Sequence, residues 1–269
     1  MEVARSKTAV MSDEVLLKIS GVSKYFGGVP ALEEVSFPVR AGMVTALIGP
    51  NGAGKTTLLD CLSGILAPDR GSMYFRGQEL AGLPAHHRAR LGLARTFQNL
   101  RLFPRLSVLD NVLTGLTVEG ESPLLTALLR PPSLRHRERR LRLKALEALD
   151  TFGLADKADL PAGILSYGDK KRVELARALV SQPVLTLLDE PVAGLNPEET
   201  AEVAQILRQW RQQGKTLLLV EHDMDLVMSV ADQVVVLDGG KKIASGTPDE
   251  VRVNPLVLEA YLGKISLTA

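Results

Sequence analysis

The chain has 269 residues, of which 45% are hydrophobic and 23% charged, and its formal net charge is +1. This length supports one large domain or two small ones, and the near-zero charge argues against broad electrostatic binding to nucleic acid. The single cysteine, Cys61, excludes an internal disulfide and a cysteine-based metal cluster, and fits a reducing compartment.

The first half of the chain predicts three strands and a helix. Residues 1–13 are expected to form a flexible tail, because they lack the long apolar stretch of a signal peptide. Strands are predicted at 15–20 and 32–39, and Pro38 favours an edge position for the second. The apolar run 44–48 predicts a buried strand, and residues 57–66 after the glycines predict a helix.

The second half predicts a parallel sheet. Short apolar runs at 184–188 and 217–220 flank a predicted helix at 197–213, with Pro197 suited to its first turn. Strand, helix and strand at this spacing indicate right-handed parallel crossovers. A further strand at 234–237 and a turn at 238–240 precede a strand at 241–245. The predicted fold is therefore α/β.

The middle of the chain, 84–161, predicts a mainly helical subdomain inserted into the α/β core. One helical face is indicated by the spacing of Leu134, Leu141, Ala145, Leu149 and Phe152. The basic run 135–142 is either a solvated helix face or a contact for lipid head groups or a partner. The predicted boundaries are 14–85 and 164–250 for the two parts of the core, 86–163 for the subdomain and 251–269 for a C-terminal helix and tail.

A glycine-rich loop matches the phosphate-binding pattern G-x-x-x-x-G-K-[ST] between a predicted strand and a predicted helix. Glycines allow main-chain N–H groups to approach phosphates, and the helix N-terminus favours the same anion. Lys55 adds a positive charge near the β and γ phosphates, and Thr56 can ligate Mg²⁺. ATP and Mg²⁺ are therefore the predicted ligands. The predicted ATP-binding residues of the loop are Gly49, Pro50, Asn51, Gly52, Ala53, Gly54, Lys55, Thr56 and Thr57.

Two acids follow the apolar run 184–188. The carboxyl ends of parallel strands face the ligand crevice, so Asp189 is predicted to hold Mg²⁺ through water. Glu190 is predicted to orient or deprotonate the attacking water. An acid pair at a strand end is equally compatible with a turn cap, and it is the phosphate loop in the same chain that favours the catalytic interpretation.

The segment 165–169, Leu-Ser-Tyr-Gly-Asp, with the basic helix after it, resembles the LSGGQ signature of ATP-binding cassette (ABC) ATPases. Gln98 resembles the Q-loop glutamine, Asn196 lies in a segment similar to the D-loop, and His222 resembles the switch histidine. Phe26 occupies the place of the aromatic residue that stacks on adenine, with Tyr25 as its neighbour. These elements occur in the family's order, and they imply an ABC-type P-loop fold with an antiparallel β edge.

The resemblance implies a mechanism in which two cassettes pair head to tail. Ser166, Gly168 and Asp169 would belong to a half-site that completes the ATP site of the opposite subunit. Glu190, Gln98 and His222 would be catalytic, and Gln98 would join Thr56 and Asp189 as a Mg²⁺ ligand. The chain departs from the common pattern at Tyr167, Asp169 and Asn196. Asp169 is expected to add negative charge near the nucleotide, offset by the neighbouring cations Lys170, Lys171 and Arg172.

The segments 92–104, 193–197 and 220–228 and the tail 254–263 are similar to the ATPases of branched-chain amino-acid importers. The long segment 118–140 suits the larger of the two ATPases that such importers use. The resemblance implies a peripheral protein at the cytoplasmic face of the inner (plasma) membrane.

Its implied partners are two membrane permeases, a second related ATPase or a second copy of the chain, and indirectly a periplasmic binding protein, with no nucleic acid. Residues 97–105 are predicted to form the permease groove, with Leu100, Leu102 and Phe103 as apolar contacts.

Three alternatives remain open from the sequence. The same ATPase role can serve urea, short amides or other amino acids, because the subunit does not touch the cargo. A non-transport ABC ATPase acting on nucleic acid or ribosomes typically carries two cassettes or a long coiled-coil insertion, and neither is present. A P-loop kinase would need an acceptor site in place of the signature, and would leave His222 without a role.

Overall fold

A small antiparallel sheet opens the chain in the computed structural model, which describes residues 14–98, 100–116 and 132–262. Its strands follow the order β2-β1-β4-β5. They are β1 (Val15–Phe26), β2 (Val29–Arg40), β4 (Arg70–Phe75) and β5 (Gln78–Glu79). The edge position that Pro38 indicates for β2 is confirmed, since β2 is the outermost strand of this sheet. The predicted strand 15–20 continues to Phe26 because register shifts after Ile19 let β1 bend and keep pairing.

The second sheet has six strands in the order β10-β9-β3-β8-β7-β6. They are β3 (Val44–Ile48), β6 (Leu93–Arg95), β7 (Leu185–Asp189), β8 (Thr216–Val220), β9 (Gln233–Asp238) and β10 (Lys241–Gly246). β10 pairs with β9 in the antiparallel sense, and the other pairs are parallel. The α/β class and the antiparallel edge are confirmed, and β3, β7 and β8 are buried along their full length, as expected of a sheet covered on both faces.

Helices cover both faces of the six-stranded sheet. They are α1 (Lys55–Ser63), α2 (Ala85–Arg90), α3 (Val108–Leu113), α4 (Pro132–Thr151), α5 (Tyr167–Leu179), α6 (Pro197–Gln212), α7 (Met224–Val230), α8 (Pro248–Arg252) and α9 (Pro255–Leu262). Short 3₁₀ turns lie at Thr114–Leu116, Ala155–Lys157 and Ala162–Ile164. α1 begins two residues before the predicted start. It ends at Ser63, because the left-handed backbone of the next residue, Gly64 (φ 83°), stops the helix.

The middle segment contains a strand that the sequence does not predict. β6 is only three residues long and pairs with β7, so residues expected to be mainly helical contribute an edge strand to the core sheet. Three residues are too few for a periodic signal. The predicted apolar face is otherwise confirmed, since Ala145 and Leu149 on α4 and Phe152 just after it are buried, and Leu141 packs against the same cluster.

Some sequence predictions fall outside what the structure describes. The tail 1–13, the side chain of Leu134 and most of the segment 118–140 are among them, and the four domain boundaries stay predictions. Over the described ranges, none of the helices combines the length and the apolar character needed to cross a membrane.

Alternation along the central strands divides the core between the two faces of the sheet. On β8, Leu217 and Leu219 pack against α3 to α6, whereas Leu218 and Val220 pack toward α1 and the antiparallel sheet. A third cluster joins Ile48 of β3 to Val257 of α9. Because β3, β7 and β8 are parallel neighbours, the loops after Ile48, Asp189 and Val220 meet at one edge, and the predicted site residues follow these strands.

Candidate functional site

The glycine-rich loop leaves β3 at Gly49 and enters α1 at Lys55. Gly49 and Gly54 have φ of 148° and 96°, a region that favours glycine. A Cβ atom at Gly49 would collide with the Leu237 carbonyl, and one at Gly54 with the Ala31 carbonyl. Both positions therefore require glycine for conformation and for space. The free N–H groups at the start of α1 point into the loop and favour an anion there.

Lys55 is buried beneath this loop. Its Nζ donates to the carbonyls of Gly49 at 2.6 Å and Pro50 at 3.0 Å. Burial lowers the pKa of the Lys55 ammonium, and the charges of Glu190 and Asp189 oppose that shift, so the acid pair acts directly on this ammonium. The predicted Mg²⁺ ligand Thr56 is exposed in the first turn of α1.

Phe26 presents its ring to solvent at the end of β1. Its exposed fraction is 49%, and Lys24 Nζ lies 5.7 Å from the ring centroid. The position is accessible, as stacking on a base requires.

Asp189 ends β7 with one carboxylate oxygen paired and one free. Its Oδ2 accepts from Arg95 Nη2 at 3.0 Å, and its main-chain N–H donates to Thr96 Oγ1 at 3.0 Å. Oδ1 is buried and has no hydrogen-bond partner among the described residues. Burial raises the pKa of the Asp189 carboxyl, and Arg95 opposes the rise. An orphaned buried acceptor is costly unless something outside the chain binds it.

The residues present fit a hydrated Mg²⁺ ion. Asp189 Oδ1 and the Thr56 hydroxyl are hard oxygen ligands, which Mg²⁺ prefers. Within the described ranges, no three His, Cys, Asp or Glu side chains converge on a possible ion position. That sparseness suits Mg²⁺, because this ion is usually held by one or two carboxylates together with waters and substrate phosphates.

Glu190, Gln98 and His222 lie together at the edge of the sheet. Glu190 Oε2 accepts from Gln98 Nε2 at 2.9 Å, and His222 Nδ1 lies 3.9 Å from Glu190 Oε1. The backbone of Glu190 is left-handed, with φ of 47°, and its N–H donates to the Val220 carbonyl at 3.0 Å. Such backbone strain in a residue other than glycine is concentrated at functional sites. The three residues predicted as catalytic are thus brought into one cluster.

Two buried charged residues support this cluster in a role that the sequence did not predict, since Lys171 was expected to offset Asp169. Lys171 Nζ donates to the carbonyls of Gln98 and Glu190, each at 3.3 Å. Glu221 accepts from the N–H groups of Val192 at 3.3 Å and His222 at 3.1 Å, and burial raises the pKa of its carboxyl. The available signals were the charge of Lys171 on the inward face of α5 and the acid Glu221 directly after the apolar run 217–220.

A third missed residue is Arg95, the last residue of β6. Its guanidinium bonds to Asp189, Asp60 and Ser63. The unpredicted strand β6 is what places this side chain beside the acid pair.

The signature segment forms the start of α5. Ser166 caps the helix by accepting from Asp169 N–H at 3.1 Å, and a Cβ atom at Gly168 would collide with the Glu199 carboxylate. The Tyr167 hydroxyl donates to the Ala193 carbonyl at 3.3 Å, which links the signature to the predicted D-loop.

Asp169 is buried and paired within the chain. Its carboxylate accepts from Lys157 Nζ and Arg172 Nη2, both at 2.6 Å. The pairing predicted with Arg172 is confirmed, but Lys157 takes the place expected for Lys170 and Lys171, because the 3₁₀ turn Ala155–Lys157 brings it to the start of α5. Although burial opposes it, the Lys157 and Arg172 contacts hold the pKa of Asp169 below its usual value.

Asn196 begins α6 rather than reaching into open space. Its side chain accepts from Glu199 N–H at 2.9 Å, and Glu199 accepts from Asn196 N–H at 3.1 Å. This capping box, followed by Pro197, explains why the amide is suited to this position.

A cleft of about 550 Å³ lies between α1, α2, β6 and α5. Apolar residues on its walls include Ile65, Phe97 and Phe103, and Arg101 and Arg177 also line it. Phe103, one of the predicted groove residues, lines this cleft, and the permease groove itself stays a prediction. Leu102 packs against the helical core instead of lining this cleft. Leu100 is not among the lining residues.

Comparisons with known proteins agree with this arrangement. The family model described as "ABC transporter" matches residues 32–193, and the one described as "Branched-chain amino acid ATP-binding cassette transporter" matches 241–264. The chain is 42% identical over 250 residues to the high-affinity branched-chain amino acid transport ATP-binding protein LivG of Escherichia coli, covering 93% of this chain and 98% of that one. BraF of Pseudomonas aeruginosa, with the same description, is 41% identical over the same shares.

A solved structure of an ATP-binding cassette is also similar to this chain. The ADP conformation of an ATP-binding cassette of an ABC transporter superposes with a TM-score of 0.80 at 34% identity, covering 93% of this chain and 100% of that one. The chain belongs to the ABC transporter family, and is one of its nucleotide-binding, ATP-hydrolysing subunits.

Proposed function

We propose that this chain energises the uptake of branched-chain amino acids, as the ATPase subunit of an importer whose membrane permeases carry the cargo. The observation that carries the ATPase role is the cluster of Glu190, Gln98 and His222 beside the glycine-rich loop. The cargo class is supported by the names of relatives 42% and 41% identical and by the match over residues 241–264.

The glycine-rich loop, residues 49–57, binds the phosphates of ATP through its main-chain N–H groups. Lys55 exchanges its bonds with the Gly49 and Pro50 carbonyls for bonds with phosphate oxygens. Phe26 stacks on the adenine from its exposed position. Thr56, Gln98 and Asp189 would hold Mg²⁺, which would supply charge neutralisation to the phosphates.

Glu190 accepts a proton from the attacking water at its carboxylate, and Gln98 and His222 orient that water and the γ-phosphate. Lys171 and Glu221 fix the backbone on either side, so the trio needs little rearrangement. This chemistry depends mainly on positioning and charge stabilisation.

A head-to-tail partner, either a second copy or a related ATPase, completes the site. Ser166 and Gly168 contact the γ-phosphate held by the opposite subunit, where the N-terminus of the 13-residue helix α5 favours an anion. The carboxylate of Asp169 is neutralised by Lys157 and Arg172, so it adds little free negative charge at this half-site. Asn196, the predicted D-loop residue, holds that segment in place by capping α6.

The cleft beside Phe97 and Phe103 receives a helix from one of two permease subunits at the cytoplasmic face of the inner membrane. Its apolar walls and the cations Arg101 and Arg177 suit an amphipathic helix with an acidic residue. A periplasmic binding protein delivers the amino acid to the permeases and does not touch this chain.

Uptake in cells tests the proposal. A strain lacking this chain should lose leucine, isoleucine and valine uptake, and the wild-type gene should restore it whereas Glu190→Gln should not. Affinity purification from membranes should recover two permeases. Intact leucine uptake with loss of urea or amide uptake would reassign the cargo, and recovery of ribosomes instead of permeases would overturn the transport role.

A further inference from the structure

Arg95 joins two elements that carry proposed Mg²⁺ ligands. Its side chain is only 6% exposed, and its Nη2 donates to Asp189 Oδ2 on β7 at 3.0 Å. Its Nη1 donates to Asp60 Oδ1 at 2.6 Å and to Ser63 Oγ at 2.8 Å, both on α1. One guanidinium therefore connects β7 to the helix that begins beneath the phosphate loop.

The geometry decides which oxygen of Asp189 is available. Arg95 occupies Oδ2, and the buried Oδ1 has no hydrogen-bond partner among the described residues. On α1, Asp60 lies four residues after Thr56, one helical turn along the same face. The planar guanidinium fork holds both contacts in a fixed relation, which a flexible ammonium would not.

We propose that Arg95 is a positioning residue for Mg²⁺, which aligns the free oxygen of Asp189 with the hydroxyl of Thr56 by bonding Asp189, Asp60 and Ser63 at once. The inference rests on the proposed role of Asp189 as the Mg²⁺ carboxylate. Loss of a partner that orients a metal ligand typically weakens metal affinity by about 10- to 100-fold.

The test is Arg95→Gln, with Arg88→Gln as a matched control. Arg88 is a second buried arginine, and it donates only to main-chain carbonyls, those of Cys61 and Leu62 on the same helix and those of Leu80 and Leu83 outside it. Three quantities are measured: the Mg²⁺ concentration for half-maximal ATP hydrolysis at saturating ATP, Mn²⁺ affinity by electron paramagnetic resonance with a non-hydrolysable ATP analogue, and ATP affinity in EDTA.

Arg95→Gln should raise the half-maximal Mg²⁺ concentration and the Mn²⁺ dissociation constant about tenfold, while ATP affinity in EDTA changes less than about twofold. Arg95→Lys should fall between Arg95→Gln and wild type, since an ammonium can reach one of the three partners. Arg88→Gln should lower the melting temperature and leave both metal measurements at wild-type values. Should Arg95→Gln not fold, Asp60→Asn carries the test, with a smaller shift of about threefold in the same direction.

Unchanged metal dependence in the Arg95 variants would overturn the inference, and so would an equal shift in Arg88→Gln, which would indicate a stability effect. Asp189→Asn separates the two proposals. If it impairs metal binding while Arg95→Gln does not, the positioning role alone is wrong. If it leaves metal binding intact, the role of Asp189 is wrong and the positioning role is overturned with it.

Discussion

The side chain of Glu190 accepts a hydrogen bond from Gln98 and lies near His222, and its backbone is in the strained left-handed conformation. Glu190→Gln keeps the shape and removes the base. We expect ATP affinity within about twofold of wild type and turnover lower by at least about 100-fold, the usual contribution of a positioned base. Nucleotide titration and phosphate release measure the two quantities. Hydrolysis at the wild-type rate would remove Glu190 from this role.

Asp169 makes stability depend on pH in the acid range. Its carboxyl pKa is lowered in the folded state by Lys157 and Arg172, which outweigh the effect of burial. Its stabilisation is therefore present above the unfolded pKa near 3.8 and is lost as pH falls through the folded value.

Asp169→Asn should lower the free energy of unfolding at pH 7 by about 1–3 kcal/mol, because two cations lose a buried partner. As pH falls below the unfolded pKa near 3.8, the gap between wild type and variant should narrow, because protonation of this carboxyl, first in the unfolded chain and then in the folded protein, removes the ion-pair contribution. Urea denaturation at several pH values measures this. A gap that is constant or widens toward acid would contradict the ion-pair account.

The C-terminal helix α9 is attached to the phosphate loop at the level of elements. Val257 is buried in a cluster with Ile48, the residue before Gly49. Leu256, one residue earlier, is 55% exposed. Among the described side chains of α9, Val257 is the one that is buried, so the packing of this helix depends on it.

Val257→Ala should lower the free energy of unfolding by about 2 kcal/mol, from lost apolar burial and a residual cavity. Leu256→Ala is the control and should change it by less than about 0.5 kcal/mol. Chemical denaturation followed by circular dichroism makes the comparison. Equal losses in the two variants would mean that α9 does not pack as described.

At the scale of the whole molecule, the proposed head-to-tail pair would bring the phosphate loop of one chain against the signature helix of another. With ATP and Mg²⁺, the Glu190→Gln protein should accumulate as a species of twice the mass of one chain, because bound ATP is not removed. Light scattering after size exclusion measures the mass, with ADP as the control that should leave single chains. A single chain with ATP would favour a related ATPase as the required partner.

Contiguous motifs could be predicted because one short segment contains all their parts. The strand β3, the glycines at 49 and 54, and the helix α1 with Lys55 follow each other directly, so local pattern and backbone preference are sufficient. The buried strands β7 and β8 were found for the same reason, from the short apolar runs 184–188 and 217–220.

Tertiary structure alone decided the contacts between distant parts of the chain. Gln98 meets Glu190 across 92 residues, Arg95 meets Asp189 across 94, and Lys157 replaces the expected neighbours of Asp169. The three-residue strand β6, which positions Arg95, has no periodicity of its own and is specified by pairing with β7. These contacts depend on strand register and helix packing, which bring together side chains that no local spacing relates.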